Sequence, residues 1–160
     1  MLFGRKRWDP PPTAPAGVLL ASAGTPFSGA AVRRAYELAA GQPVAVLTIL
    51  KVYGSSFGLP NPGLLPTRRE REEQYAIVRR AIAAVERRGG TADGQIAATR
   101  SAGRTIAKVA RRRRVRYVVM DDSAPSGLRR VTEGSVTAIV RRRLGARATL
   151  ELVGPGARIS

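Results

Sequence analysis

Apolar positions along the chain alternate between short continuous runs and stretches with helical spacing. GVLLASAG (17–24) has the length and apolar content of a buried strand. Ser28 then stands where a helix cap belongs, and Val32, Ala35, Tyr36 and Ala39 form one stripe over a predicted helix at 29–40. Gly41 and Pro43 end it, and PVAVLTILKV (43–52) predicts a second buried strand. Residues 53–66 read as a loop, rich in Gly and Pro through GLPNPG. Thr67 and Glu70 have the spacing of a capping box. The helix they open puts Tyr75, Val78, Ile82 and Val85 on one face, and Gly89-Gly90 stops it. GQIAATR (94–100) predicts a weaker strand. Ser101 is the expected cap of a third helix with Ile106, Val109 and Ala110 inward. That helix ends in Arg111 to Arg114, cations that suit the negative end of its dipole. RYVVM (116–120) is a strand, and residues 135–143 form a fourth helix with Val136, Ile139 and Val140 inward. Gly145 closes it, and ATLELV (148–153) is a last strand.

Five strands alternating with four helices imply right-handed crossovers. The expected fold is a single α/β domain, an open five-stranded parallel sheet with helices on both faces. A chain of 160 residues is long enough to bury such a core. Residues 1–16, with four prolines and the cluster Arg5-Lys6-Arg7 beside Trp8, read as a disordered tail outside a domain at 17–153. The tail is either a solubilising leader or a short anchor, and so few apolar residues anchor weakly. Residues 154–160 read as a second flexible tail.

The absence of Cys and His removes disulfides, thiol nucleophiles, histidine bases and the usual zinc ligand sets. The first residues lack the apolar stretch of a signal peptide, and no run of about 18 apolar residues exists to span a membrane. A cytoplasmic location is expected. The net charge is +17, and Lys stands only at 6, 51 and 108, so 25 of the 28 basic residues are Arg. Charge of this size fits either an Arg-rich solvated surface or a polyanion partner, and by itself does not choose. The densest runs, Arg111–Arg114 with Arg116 and Arg141–Arg143, fall at helix ends on one edge of a parallel layout. No aromatic residue interrupts them, which disfavours base stacking and leaves contact with an RNA-like phosphate backbone.

Residues 120–136, MDDSAPSGLRRVTEGSV, leave a strand, turn through small residues and reach Gly134-Ser135 at the expected helix start. A glycine-bearing loop feeding a helix N-terminus is a natural phosphate cradle. The order of elements and this loop resemble the universal stress protein family over residues 17–153. That family's signature is Gly, two residues, Gly, nine residues, then Gly-Ser or Gly-Thr. Gly134-Ser135 fits its end without a gap, and Gly127, Leu128, Arg129, Arg130 and Val136 match residues common there. The resemblance implies an adenine nucleotide, ATP or a relative, at Gly24, Thr25, Val46, Gly127, Arg129, Arg130, Gly134, Ser135 and Val136. It also implies a homodimer through residues 148–153, an exposed edge strand that pairing would cover.

The sequence departs from the signature at both of its first glycines, which are Asp121 and Ala124 here. The first strand ends Ala23-Gly24-Thr25 where nucleotide-binding members carry Asp-Gly-Ser, and Arg100-Ser101-Ala102 replaces Gly-Asp-Pro. A carboxylate at 121 about 5 Å from a phosphate charge would repel it by roughly 3 kcal/mol at an effective dielectric near 20. The Asp121-Asp122 pair has no further carboxylate nearby in sequence to complete a metal site, and no nucleophile–base pair calls for an enzyme. Three functions follow. The first is a non-enzymatic stress-response protein acting by binding, with a degenerate ATP site. The second is a sensor of ATP, AMP or a cyclic nucleotide. The third is a basic RNA- or ribosome-associated factor using the arginine runs.

Overall fold

The structure, a computed structural model, describes residues 11–52, 66–122 and 128–154, and for 128–135 the backbone alone. Its elements are β1 (Val18–Ser22), α1 (Gly29–Ala39), β2 (Val44–Lys51), α2 (Arg68–Arg87), β3 (Ala92–Thr99), α3 (Ala102–Arg112), β4 (Tyr117–Asp121), α4 (Leu128–Leu144) and β5 (Thr149–Val153). The five strands form one parallel sheet in the order β3-β2-β1-β4-β5. This is the sheet with helices on both faces that the alternation of runs and stripes predicts.

The strands alternate between two cores, since successive side chains point to opposite faces. Val18, Leu20, Val44 and Val46 meet α1 and α2, where Val32, Ala35, Val78, Ile82 and Val85 are buried. Leu19, Ala21, Leu47, Ile49 and Val118 meet α3 and α4, against Ile106, Ala110, Val136 and Val140. Because both faces are covered, the central strands are almost continuously apolar. Helix starts follow their caps in two cases. Ser28 Oγ accepts from Ala31 N at 3.0 Å. Thr67 and Glu70 close a reciprocal box, with Glu70 Oε2 accepting from Thr67 N at 2.6 Å. That N–H contact holds the Glu70 carboxyl below its ordinary value.

Four expectations are corrected. Ser101 makes no side-chain cap; Thr99 Oγ1 takes the Ser101 N–H at 3.1 Å instead and bonds Thr105 Oγ1 at 3.0 Å. Strand β3 begins at Ala92 rather than 94, because its parallel register with β2 pairs Val44 with Ala92. Helix α4 begins at Leu128, not at Ser135. Residues 128–133 contain Leu, Arg and Glu and no Gly or Pro, and one interior glycine costs a helix only about 1 kcal/mol. The expected tail also ends earlier than residue 16. Ala16 is buried and donates its N–H to Arg113 O at 2.9 Å, while Ala14 O accepts from Arg113 Nε. The predicted loop at 53–66 and the tail at 154–160 lie outside the described residues except at their ends.

Candidate functional site

Strand order reverses between β1 and β4, because connections from β1 proceed one way across the sheet and those from β4 the other. In an open parallel sheet the crevice beyond the carboxyl ends of two such strands is where ligands bind. A cleft lies there, lined by Ser22, Ala23, Thr25, Met120, Asp121 and Thr137 among others, with Val136 in its wall. Its volume is about 30 Å³, room for a water or two rather than a nucleotide.

The turn from β1 to α1 is bonded to itself. Ser22 Oγ accepts the N–H of Gly24 at 3.2 Å and of Thr25 at 2.9 Å, and donates to Thr25 O at 2.5 Å. Gly24 adopts φ 115, a left-handed conformation that favours glycine, and a Cβ there would stand 3.2 Å from Ile49 O. Gln74 of α2 braces the turn by donating Nε2 to Gly24 O at 3.0 Å. Further along, Ser28 N donates to Asp121 Oδ2 at 2.9 Å, and the Ser28 hydroxyl donates to Asp121 Oδ1. Helix N-termini attract anions through unsatisfied N–H groups. At α1 the anion is the protein's own Asp121 carboxylate.

The structure brings some predicted site residues together and separates others. Gly24, Thr25 and Val136 reach the cleft or its rim. Val46 does not; it is 1 % exposed in mid-β2, within the α1/α2 core. Gly127 lies outside the described residues. Arg129, Arg130, Gly134 and Ser135 belong to the backbone of α4, so the last two are interior helical residues and not a helix start. Ser22 and Thr137 were not singled out by sequence; a serine ending an apolar strand carries no signal until the turn folds back on it.

The arginine runs sit at the opposite edge, as the parallel layout predicts, with one correction. Arg113 is 1 % exposed and is the largest fully buried side chain. It donates two hydrogen bonds to Asp93, at 2.8 and 2.7 Å, so it belongs to the fold and is withdrawn from any polyanion surface. Arg111, Arg112, Arg114, Arg141, Arg142 and Arg143 are exposed.

Comparison with known proteins bears on this site. The model of the universal stress protein family matches residues 17–144. No curated protein matches significantly. Among solved structures, a universal stress protein from Archaeoglobus fulgidus is 16 % identical with a TM-score of 0.63, over 87 % of this chain and 93 % of its own. A universal stress protein in complex with cAMP is 22 % identical with a TM-score of 0.58, over 88 % and 98 %. A family protein from Arabidopsis thaliana with AMP bound is 16 % identical with a TM-score of 0.52, over 89 % and 94 %. At these identities the structures share the fold with this chain.

Proposed function

The chain belongs to the universal stress protein family, and from that premise we propose a cytoplasmic regulatory protein that acts by binding, without catalysis, and whose front cleft is a nucleotide site filled from within. One observation carries the reading: the donors at the β1–α1 turn that would meet a phosphate are bonded to Ser22 and Asp121. An incoming phosphate must displace a carboxylate already in place and then lie beside its charge. The missing aspartate at Ala23 removes a polar partner at the other end of the ligand.

A second reading, the nucleotide sensor, is favoured by the cleft's place at the strand-order reversal and by relatives solved with cAMP and AMP. Under it, Asp121 turns away from Ser28 when ligand arrives. Calorimetric titration with ATP separates the two. The wild type is expected to bind more weakly than about 100 μM. The triple variant Ala23→Asp, Asp121→Gly and Ala124→Gly should bind roughly a hundredfold more tightly, the equivalent of the repulsion removed. Low-micromolar binding by the wild type would overturn the filled-site reading in favour of the sensor. A folded triple variant that binds no better would show that the family likeness in this loop is one of fold only. The proposal includes a homodimer through the free edge of β5.

A further inference from the structure

A second pocket lies at the other end of the sheet, far from the turn that Asp121 caps. There α3 and α4, packed side by side, both reach their carboxyl ends. The cavity between them measures about 250 Å³, several times the front cleft. Its floor is apolar, formed by the buried Ala110, Val115 and Leu144. Four arginines stand around it: Arg111 and Arg114 at the end of α3, Arg143 in the last turn of α4, and Arg147 just before β5.

All four are exposed, and among the described residues none of their guanidinium groups has a hydrogen-bond or ion-pair partner. Among the described residues, no carboxylate lines the cavity. Asp93, bonded to the adjacent Arg113 of the same run, is already held by that buried arginine. Two helix carboxyl ends bring roughly half a negative charge each, which offsets only about one of the four positive charges. The remainder gathers like charges around an apolar hollow, an arrangement that an anion relieves. Guanidinium forks match phosphate oxygens two at a time. An apolar floor has no use for a bare inorganic ion, and suits a ligand with a hydrocarbon or ring body below its charged group.

We propose that this rear pocket binds an organic phosphate, its apolar body against Ala110, Val115 and Leu144 and its phosphate among Arg111, Arg114, Arg143 and Arg147. The site is independent of the front cleft and of any nucleotide bound there. An extended RNA is the competing occupant; it would use Arg112, Arg116, Arg141 and Arg142 outside the hollow as much as the four within it. The hollow itself, with an apolar floor, favours the small ligand.

Naphthyl phosphate is a suitable probe, with inorganic phosphate and a short RNA as comparisons, all measured by calorimetry at one salt concentration on the full chain. Naphthyl phosphate should bind at least about tenfold more tightly than inorganic phosphate, the contribution of burying its ring. The double variant Arg111→Gln with Arg143→Gln should lose about tenfold or more for both anions. Ala148→Leu fills the lip of the hollow without touching its charge. It should weaken naphthyl phosphate alone and leave RNA unchanged. Asp121→Gly, at the front, should alter neither. Circular dichroism checks that each variant keeps the wild-type fold, and Arg114→Gln serves in place of any that does not. Equal affinity for the two phosphates, no naphthyl phosphate binding at millimolar concentration, or a response to Asp121→Gly would each overturn the proposal.

Discussion

Two aspartates set the character of this molecule at the scale of single residues, and both are bonded to distant chain. Asp121 takes the backbone and hydroxyl donors of Ser28, and Ser28 in turn caps α1. Asp121→Ala should therefore destabilise the protein by about 1–2 kcal/mol, a lost charged acceptor at a helix start, while improving affinity for phosphate-bearing ligands. Thermal or denaturant unfolding in parallel with ATP titration reads both, and the prediction fails if the two effects share a sign. Asp93 answers Arg113, and here the two partners differ in exposure: the arginine side chain is 2 % exposed and the aspartate 31 %. Removing the carboxylate strands a buried cation, whereas removing the arginine leaves an anion that water can reach. Asp93→Asn should thus cost about 3–5 kcal/mol and Arg113→Met about 1–3 kcal/mol. Urea unfolding in which Arg113→Met proves the more damaging would contradict this account of the pair.

The elements are held by close contacts that small residues permit. Helices α3 and α4 meet at Gly103, where an added Cβ would lie 2.9 Å from Ile139 Cβ and Cγ2 and 3.1 Å from Val136 O. A branched side chain and a backbone oxygen leave little space to yield. Gly103→Ala gains about 1 kcal/mol of helix propensity but forces the helices apart, so a net loss of about 1–2 kcal/mol is expected. Combining it with Ile139→Ala should recover part of that loss. A strictly additive double variant would show that the contact is not the cause. The sheet and α1 are tied in another way, by Arg34 donating to Glu151 of β5 at 2.8 Å. That hydrogen bond holds the Glu151 carboxyl below its ordinary value, so its stabilisation is present above the ordinary carboxylate range and fades as pH falls through the lowered one.

At the scale of the whole molecule, the sheet leaves β5 with one side unpaired among the described residues. Thr149 N donates to Arg116 O at 2.9 Å and Asp122 N donates to Val153 O at 2.8 Å, so residues 149, 151 and 153 face β4. By alternation the N–H and C=O of Leu150 and Leu152 point to the free edge. Their side chains pack toward the α3/α4 core, so charged replacements there would test the fold as much as assembly. A proline is the sharper probe. Light scattering at high micromolar concentration should give roughly twice the 17.1 kDa chain mass. Leu150→Pro, which deletes an outward N–H, should shift it toward the monomer more than Leu150→Ala, which removes the same packing and keeps the donor. A wild-type mass of one chain would refute the dimer.

The sequence by itself determined the element order, the parallel sheet, most helix faces and two of three helix caps, because these depend on local periodicity and on residues within one turn of each other. The apolar stripe Val78, Ile82 and Val85 and the Thr67–Glu70 box needed nothing distant to be read. Through the family resemblance it also raised the expectation of a site at the ends of β1 and β4. Only the tertiary structure decided what that site contains. Ser28 and Asp121 are 93 residues apart, and no local pattern predicts that one completes the other. The same holds for Arg113, which stands in a run of four like arginines and yet is the one that is buried, because at the end of α3 it meets Asp93 and Ala14 from distant parts of the chain. Helix α4 likewise ran past its expected start at Gly134-Ser135, since a glycine interrupts a helix too weakly to end it when the residues before it are helix formers. Short-range propensity is written in neighbouring residues. Which charge is buried, and which amide is already bonded, depends on chain segments that only folding brings together.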